Sequence, residues 1–243
     1  MELNKIHNED CLVGMNKIPD KSIDMILCDL PYGTTKNEWD VMLPLDELWK
    51  QYERIIKDNG AIVLTAQTPF DKILGASNTK LLRYEWIWEK SLGTGHLNAN
   101  KMPLKSHENI LVFYKELPIY NPQFTYGKPY KQLNGKISSP NYGKQIRIET
   151  NNEGYRYPKS VLFFESEKNN FHPTQKPVSL CEYFIKTYTN EGDVVLDNCI
   201  GSGTTAIACL NTKRNFIGFE KNTEYFKKAT DRINKHTIQT YLF

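Results

Sequence analysis

The sequence predicts an α/β protein built on a twisted, largely parallel sheet. Three observations carry that expectation. Strand-like and helix-like apolar patterns alternate along most of the chain. Two polar stretches, Asp29-Leu30-Pro31-Tyr32 and Asp197-Asn198-Cys199-Ile200-Gly201-Ser202-Gly203-Thr204-Thr205, each follow directly on a short apolar run. Finally, 243 residues, 40% of them hydrophobic, are enough to bury one substantial core, with room for a smaller inserted lobe. In open sheets of this class ligands collect at the carboxyl ends of strands, so two such stretches imply two neighbouring pockets and point to group transfer.

Taken in order, residues 3–7 and 23–28 read as strands around a helix near residues 12–18. Residues 44–57 form an amphipathic helix with Leu45, Leu48, Tyr52, Ile55 and Ile56 on one side, and Asp58-Asn59-Gly60 is expected to stop it. Residues 61–66 are a β-rich run, Pro69 opens a helix over residues 70–74, and residues 82–88 and 110–114 are further strands. From residue 117 to 170 the pattern degrades into Pro, Asn, Gly, Tyr and Lys with only short apolar pieces, which reads as an inserted lobe. Alternation then resumes with a helix over 178–188, a strand over 194–196, a helix over 204–210, a strand over 216–219 and a last helix over 223–235. The expected organisation is therefore residues 1–116 and 171–243 as two parts of one domain, with residues 117–170 inserted between them.

Composition narrows the function classes. No run approaches the roughly 18 apolar residues of a membrane span, and the N-terminus lacks a basic start followed by an apolar core, so a cytoplasmic protein without a membrane partner is expected. Cys11, Cys28, Cys181, Cys199 and Cys209 are scattered and contain no Cys-x-x-Cys pair, which argues against a disulfide framework and a zinc site; no metal is expected. The net charge of +3 permits nucleic-acid binding without requiring it. Within the insert, Lys128, Lys131, Lys136, Lys144, Arg147 and Arg156 outnumber the acids and are interleaved with tyrosines. That mixture suits a phosphate backbone and exposed bases, and equally an ordinary solvated insert.

Gly201-Ser202-Gly203-Thr204-Thr205-Ala206 fits G-x-G-x-x-A between a strand and a helix, and a second strand then ends at Glu220. The spacing suits a nucleoside cofactor whose ribose hydroxyls meet the Glu220 carboxylate; a tight structural turn is the alternative. A nicotinamide oxidoreductase would need several more βαβ units after the glycines, whereas only one strand and one helix follow. A rotated strand order of this kind suits S-adenosylmethionine, with Asp197 facing the cofactor's amino acid end.

At this point the residues carry a resemblance. Asp29 to Tyr32 resembles the D-P-P-Y motif of amino-group DNA methyltransferases, and Asp197 to Thr205 resembles their D-P-F-x-G-S-G-T-T cofactor loop. The order of catalytic motif, variable lobe and cofactor motif is that of the β group, and the resemblance covers nearly the whole chain. It implies a class I S-adenosylmethionine-dependent methyltransferase (Rossmann-like) sheet with an inserted target-recognition lobe. The implied activity is site-specific transfer of methyl to N6 of adenine in double-stranded DNA, with S-adenosylhomocysteine as product. An aspartate at the head of the tetrapeptide favours adenine over N4 of cytosine, the alternative target. An inactive DNA-binding module is a further alternative, against which Asp29 is intact.

The chemistry explains the residue types. An exocyclic amine is a poor nucleophile because its lone pair is delocalised into the ring, so acceptors must draw its N–H groups out of conjugation. Asp29 and the carbonyl of Leu30 can do so, Pro31 keeps Leu30 extended, and Tyr32 would stack on a base rotated out of the duplex. Leu30 stands where the family has its first proline, and Asn198-Cys199 where it has Pro-Phe.

Gly201, Ser202, Gly203 and Thr204, with Asp29, Asp197 and Glu220, are the expected cofactor contacts. Asp10 either caps the following helix or, by resemblance, holds the cofactor's adenine amino group. His172-Pro173-Thr174-Gln175-Lys176-Pro177 resembles a segment at the cofactor's methionine end, where Lys176 would pair with the carboxylate. Trp39 and Asp40 are placed either to touch DNA or to close the pocket. The resemblance also extends to a homodimer and a companion restriction endonuclease.

Overall fold

The computed structural model describes residues 1–33, 40–133, 138–139, 143–144, 149–167 and 175–241. In chain order its elements are β1 (Lys5–His7), α1 (Cys11–Met15), β2 (Ile23–Asp29), α2 (Leu45–Ile55), β3 (Ile56–Ala66), α3 (Phe70–Ser77), β4 (Leu82–Thr94) and, after a 3₁₀ turn at His96–Asn98, β5 (Lys105–Phe113). Six short strands follow: β6 (Thr125–Tyr126), β7 (Tyr130–Leu133), β8 (Ser138–Ser139), β9 (Gly143–Lys144), β10 (Glu149–Asn152) and β11 (Tyr155–Arg156). The chain then runs through β12 (Val161–Phe164), α4 (Val178–Tyr188), β13 (Val194–Asp197), α5 (Thr204–Asn211), β14 (Asn215–Phe219) and α6 (Thr223–Tyr241).

Eight strands form the main sheet in the order β1-β14-β13-β2-β3-β5-β4-β12. Strand β5 runs antiparallel to both neighbours, and the other pairings are parallel. A parallel sheet needs cover on both faces, and β2 shows how the sequence supplies it. Ile26 and Cys28 enter a core with Met15, Leu48, Tyr52, Phe70 and Leu74, whereas Met25 and Leu27 enter a second core with Leu180, Phe184, Tyr188 and Ala206. Successive strand residues point to opposite faces, so an unbroken apolar run is what a doubly covered strand requires. Helix α2 buries Leu48, Trp49, Tyr52 and Ile55, a stripe at helical spacing.

Asp58-Asn59-Gly60, expected to stop the helix, instead lies inside β3, since α2 already ends at Ile55 and β3 starts directly after it. Pairing with β2 overrides the local turn preference: the register jumps from Ile23↔Ile56 to Met25↔Ala61, which absorbs the extra residues. Gly60 is needed there because a Cβ would lie 2.8 Å from the carbonyl oxygen of Asp24. Strands β4 and β5 also extend well past the expected 82–88 and 110–114, forming a hairpin whose ladder reaches Thr94↔Lys105.

By contacts the chain divides into Met1–Asn121 with Ser160–Phe243, and Pro122–Lys159. Thus β12, inside the stretch read as an insert, belongs to the main sheet beside β4. Its four residues are too short a run to stand out from the Pro- and Tyr-rich sequence around them. Among the described residues of the second unit there are three two-stranded antiparallel ladders, β7–β10, β6–β11 and β8–β9. Phe124 packs edge-on against Tyr155 and Tyr157 there, at 5.3 and 5.0 Å between centroids. No helix among the described residues is long and apolar enough to cross a membrane.

Candidate active site

Strands β2 and β13 are neighbours in the sheet, paired at Met25↔Val195 and Ile26↔Leu196. From β2 the chain proceeds to β3 on one side, and from β13 to β14 on the other, so the two strand ends flank a switch point in the topology. Their polar extensions open on one cavity of about 970 Å³. Asp10, Asp29, Leu30, Pro31, Tyr32, Lys176, Asp197, Gly201, Ser202, Thr204 and Glu220 all line it. Its volume lies at the upper end of the roughly 300–1,000 Å³ usual for small-molecule pockets, which leaves room for two ligands side by side.

At the β2 end, Asp29 accepts hydrogen bonds from the Tyr32 hydroxyl at 2.6 Å, from the Thr65 hydroxyl, and from the Lys176 ammonium at 2.6 Å. The Tyr32 ring stacks on Phe70 at 5.1 Å, and its hydroxyl is kept protonated by burial and by the adjacent Asp29 charge. Lys176 was expected to meet a cofactor carboxylate; here two carboxylates of the chain hold it, Asp29 and, at 3.3 Å, Glu108. Burial alone would lower the Lys176 pKa, but the two carboxylates more than offset it and the ammonium stays charged. Glu108 in turn pairs with Lys90 at 2.5 Å and accepts from Gln67 at 3.0 Å. Burial opposes its ionisation, yet Lys176 and Lys90 together hold its carboxyl below the usual range.

At the β13 end, Asp197 is buried and accepts from the Thr205 hydroxyl at 2.6 Å and the Cys199 N–H at 3.1 Å. Burial is the largest influence and pushes its pKa up to about 6 despite those bonds. Glu220 accepts from the N–H groups of Gly201 at 3.1 Å and Asn222 at 2.7 Å, and burial raises its pKa as well. Asn198, in the place of the family proline, is fixed by the Tyr52 hydroxyl. Asp10 caps α1 by accepting from Leu12 N–H at 3.0 Å, so its local reading is met while its carboxylate still lines the cavity. Cys28 and Cys181 are pushed up to about 12 by burial and remain thiols.

Gly203, an expected cofactor contact, has a packing role in the fold. It does not line the cavity: its N–H bonds Ile200 O at 2.9 Å, and a Cβ there would meet Ile233 and Ala229 of α6. With φ at +77°, it is the residue that lets α5 start beneath α6. Gly203→Val should therefore act mainly on stability, combining left-handed strain with overpacking, each worth about 1–3 kcal/mol. Thermal unfolding should show Tm lowered by about 5–10 °C.

Asp40 is buried, lines the cavity and accepts from Gly33 N–H at 2.8 Å, which fits pocket closure. Trp39, Lys136, Arg147 and His172 lie outside the described residues, as does the side chain of Lys144. Lys128 and Lys131 are exposed. Arg156, grouped with them from sequence, is instead used inside the second unit: its guanidinium covers the Tyr130 ring at 4.7 Å and donates to Asn152 and to Lys128 O. Sequence reading missed Thr65 and Lys90, which line the cavity, and Arg232, which braces the loop beside it. Arg232 reaches from α6 to donate to Ser202 O and the Thr204 hydroxyl, each at 3.0 Å. Glu108 sits in His107-Glu108-Asn109, whose pattern gave no hint of its two lysine partners.

A largely parallel sheet with helices on both faces, and two acidic strand ends opening on one cavity at its switch point, is the class I methyltransferase fold. The family model for DNA methylase, N6_N4_Mtase, matches residues 23–231. Among curated relatives, the type II methyltransferase M1.MboII of Moraxella bovis is 29% identical over 266 residues, covering 98% of this chain and 99% of that protein. The DNA adenine methyltransferase YhdJ of Escherichia coli (strain K12) is 28% identical over 253 residues, covering 96% and 83%.

Among solved structures, the M1.HpyAVI–SAM complex matches with TM-score 0.65 and 25% identity, covering 94% of this chain and 98% of that one. The PvuII DNA methyltransferase (cytosine-N4-specific) matches with TM-score 0.70 and 18% identity, covering 93% and 84%, a likeness of fold. The chain belongs to the DNA methylase family, in the β group of amino-methyltransferases.

Proposed function

We propose that this protein transfers methyl from S-adenosylmethionine to N6 of adenine at a specific sequence in duplex DNA, with the target base rotated into the cavity. The observation that carries the reading is Asp29, a carboxylate at the end of β2 facing the same cavity as the Asp197–Thr205 loop. A carboxylate has about four lone-pair positions. Three donors, Tyr32, Thr65 and Lys176, occupy part of that capacity and leave room for an amine N–H. The Leu30 carbonyl would take the second N–H, pulling the nitrogen lone pair out of the ring. Tyr32, braced on Phe70 and tied to Asp29, would then present its ring to the base.

The other half of the cavity fits the cofactor. Glu220, oriented by two backbone N–H groups, keeps acceptor capacity for ribose hydroxyls, and Asp10 offers an acceptor for an adenine amino group. Asp197 would face the cofactor's ammonium. When bound, S-adenosylmethionine supplies an electrophilic methyl on a sulfonium. Asp29 orients the accepting nitrogen toward it, and the proton leaves to Asp29 or water during or after transfer. The exposed Lys128 and Lys131 would contact DNA phosphates. A cytoplasmic homodimer with a companion endonuclease accords with this reading.

Purified protein incubated with mixed-sequence DNA and S-adenosylmethionine, followed by nucleoside digestion and mass spectrometry, should yield N6-methyladenine. N4-methylcytosine would reassign the target, and no methylated nucleoside would overturn the reading. Sequencing modified DNA from expressing cells would give the site.

The cofactor should also bind in a pH-dependent way. Because Asp197 titrates at about 6, it is increasingly neutral below that pH, and affinity for S-adenosylmethionine should fall by up to about tenfold per unit there. Titration calorimetry should show a flat profile above pH 7 and no such dependence in Asp197→Asn. The stability effect has the opposite sense. The native pKa exceeds the ordinary value, so the native state binds more protons, and this group's contribution to stability declines as pH rises from about 4 to about 6.

A further inference from the structure

The β4–β5 hairpin extends beyond the main sheet to Thr94↔Lys105 and ends in the 3₁₀ turn His96–Asn98. Four apolar side chains stand out on it: Leu97 is fully exposed, and Leu92, Met102 and Leu104 are 73%, 51% and 40% exposed. Soluble surfaces rarely gather so many without a partner. Residues 90–107 contain no aspartate or glutamate, while His96, Lys101, Lys105 and His107 are all exposed. The root of the hairpin belongs to the active site, since Lys90 and Thr94 line the cavity.

We propose that this hairpin is a DNA wedge: Leu97 enters the duplex and fills the space vacated by the extruded target base, with Lys101 and Lys105 against the flanking phosphates. The inference rests on the base-extrusion reading above. Charge decides the occupant. An acid-free, basic tip matches a polyanion, whereas a second copy of a chain of net charge +3 offers no excess of acid to meet it. Position decides the role. The hairpin rises from the cavity at Lys90 and Thr94 and carries Leu97 in its end turn, so an apolar tip projects beside a cavity that must receive a base, where an unstacked step would otherwise be left open.

The test uses duplexes carrying 2-aminopurine at the target position of the site found by sequencing, with wild type, Leu97→Ala and Lys101→Ala/Lys105→Ala. Leu97 is fully exposed, so its variant should keep the wild-type Tm. Leu97→Ala should lose most of the fluorescence rise on binding, and its single-turnover methylation of paired DNA should fall about tenfold or more. On a duplex with the target opposite an abasic site, where extrusion costs little, its rate should return to within a few fold of wild type. The double lysine variant should bind DNA more weakly, with the salt slope reduced by about 1–2.

Wild-type extrusion and methylation by Leu97→Ala on paired DNA would overturn the wedge and leave the extrusion reading standing. If wild type itself methylates without a fluorescence rise, the extrusion reading fails and the wedge with it. If sedimentation shows that Leu97→Ala dissociates a dimer while extrusion persists, the face belongs to a second copy and the wedge is overturned.

Discussion

Asp29→Ala should lower methyl transfer by about 10³-fold or more while S-adenosylmethionine binds within a few fold of wild type. The magnitude follows from what the carboxylate would do. It is the acceptor that makes an amide-like amine nucleophilic, and none of the neighbours that fix it, Tyr32, Thr65 and Lys176, carries a negative charge with which to replace it. The protein should survive the change, because Lys176 keeps Glu108 as a counter-charge. Asp29→Asn supplies the finer test. It preserves shape and one acceptor but turns an N–H₂ toward either Lys176 or the substrate amine, so it should recover little activity. Single-turnover rates on saturating DNA, with cofactor affinity measured separately, separate loss of chemistry from loss of binding. Near-wild-type transfer by either variant would remove Asp29 from its assigned role.

The parts of this molecule that were legible in the sequence are those where one short segment contains its own explanation. An apolar run ending in Asp29-Leu30-Pro31-Tyr32 announces a buried strand and what lies at its end, and the same holds for β13 and the glycine loop. What stayed hidden depends on partners far away in sequence. Lys176 meets Asp29 across 147 positions, and no periodicity records such a pairing. The glycine pattern correctly marked a strand–helix turn, but not that Gly203 would serve helix crossing while Gly201 lines the cavity. Asp58-Asn59-Gly60 misled for a related reason, since its turn propensity is worth less than the ladder that β3 makes with β2. Arg156 reads as a surface cation only until Tyr130 is placed under it.

The hidden charge network carries the second large expectation. Lys90, Glu108, Lys176 and Asp29 form a chain of two cations and two anions, with the first three side chains only 9%, 6% and 10% exposed. Its charges balance, and Glu108 is the anion that faces two cations. Glu108→Gln keeps the volume but takes from the buried Lys90 its carboxylate partner and leaves two ammoniums against the single charge of Asp29, a loss of about 3–5 kcal/mol of the kind seen when one partner of a buried pair is removed. Activity should fall as well, because Lys176 would be drawn more fully onto Asp29. The decisive comparison is Lys90→Met/Glu108→Gln, which restores neutrality with only the Lys176–Asp29 pair left and should be more stable than Glu108→Gln alone.

The pH dependence gives an independent check. Glu108 is held below its usual pKa, so its stabilisation is complete above about pH 4.3, the unfolded value, and is lost as pH falls through the native one. The gap between wild type and Glu108→Gln should therefore be widest near neutrality and close in acid. A constant gap across pH 3–7, or a double variant no more stable than the single one, would show that Glu108 acts through packing rather than charge.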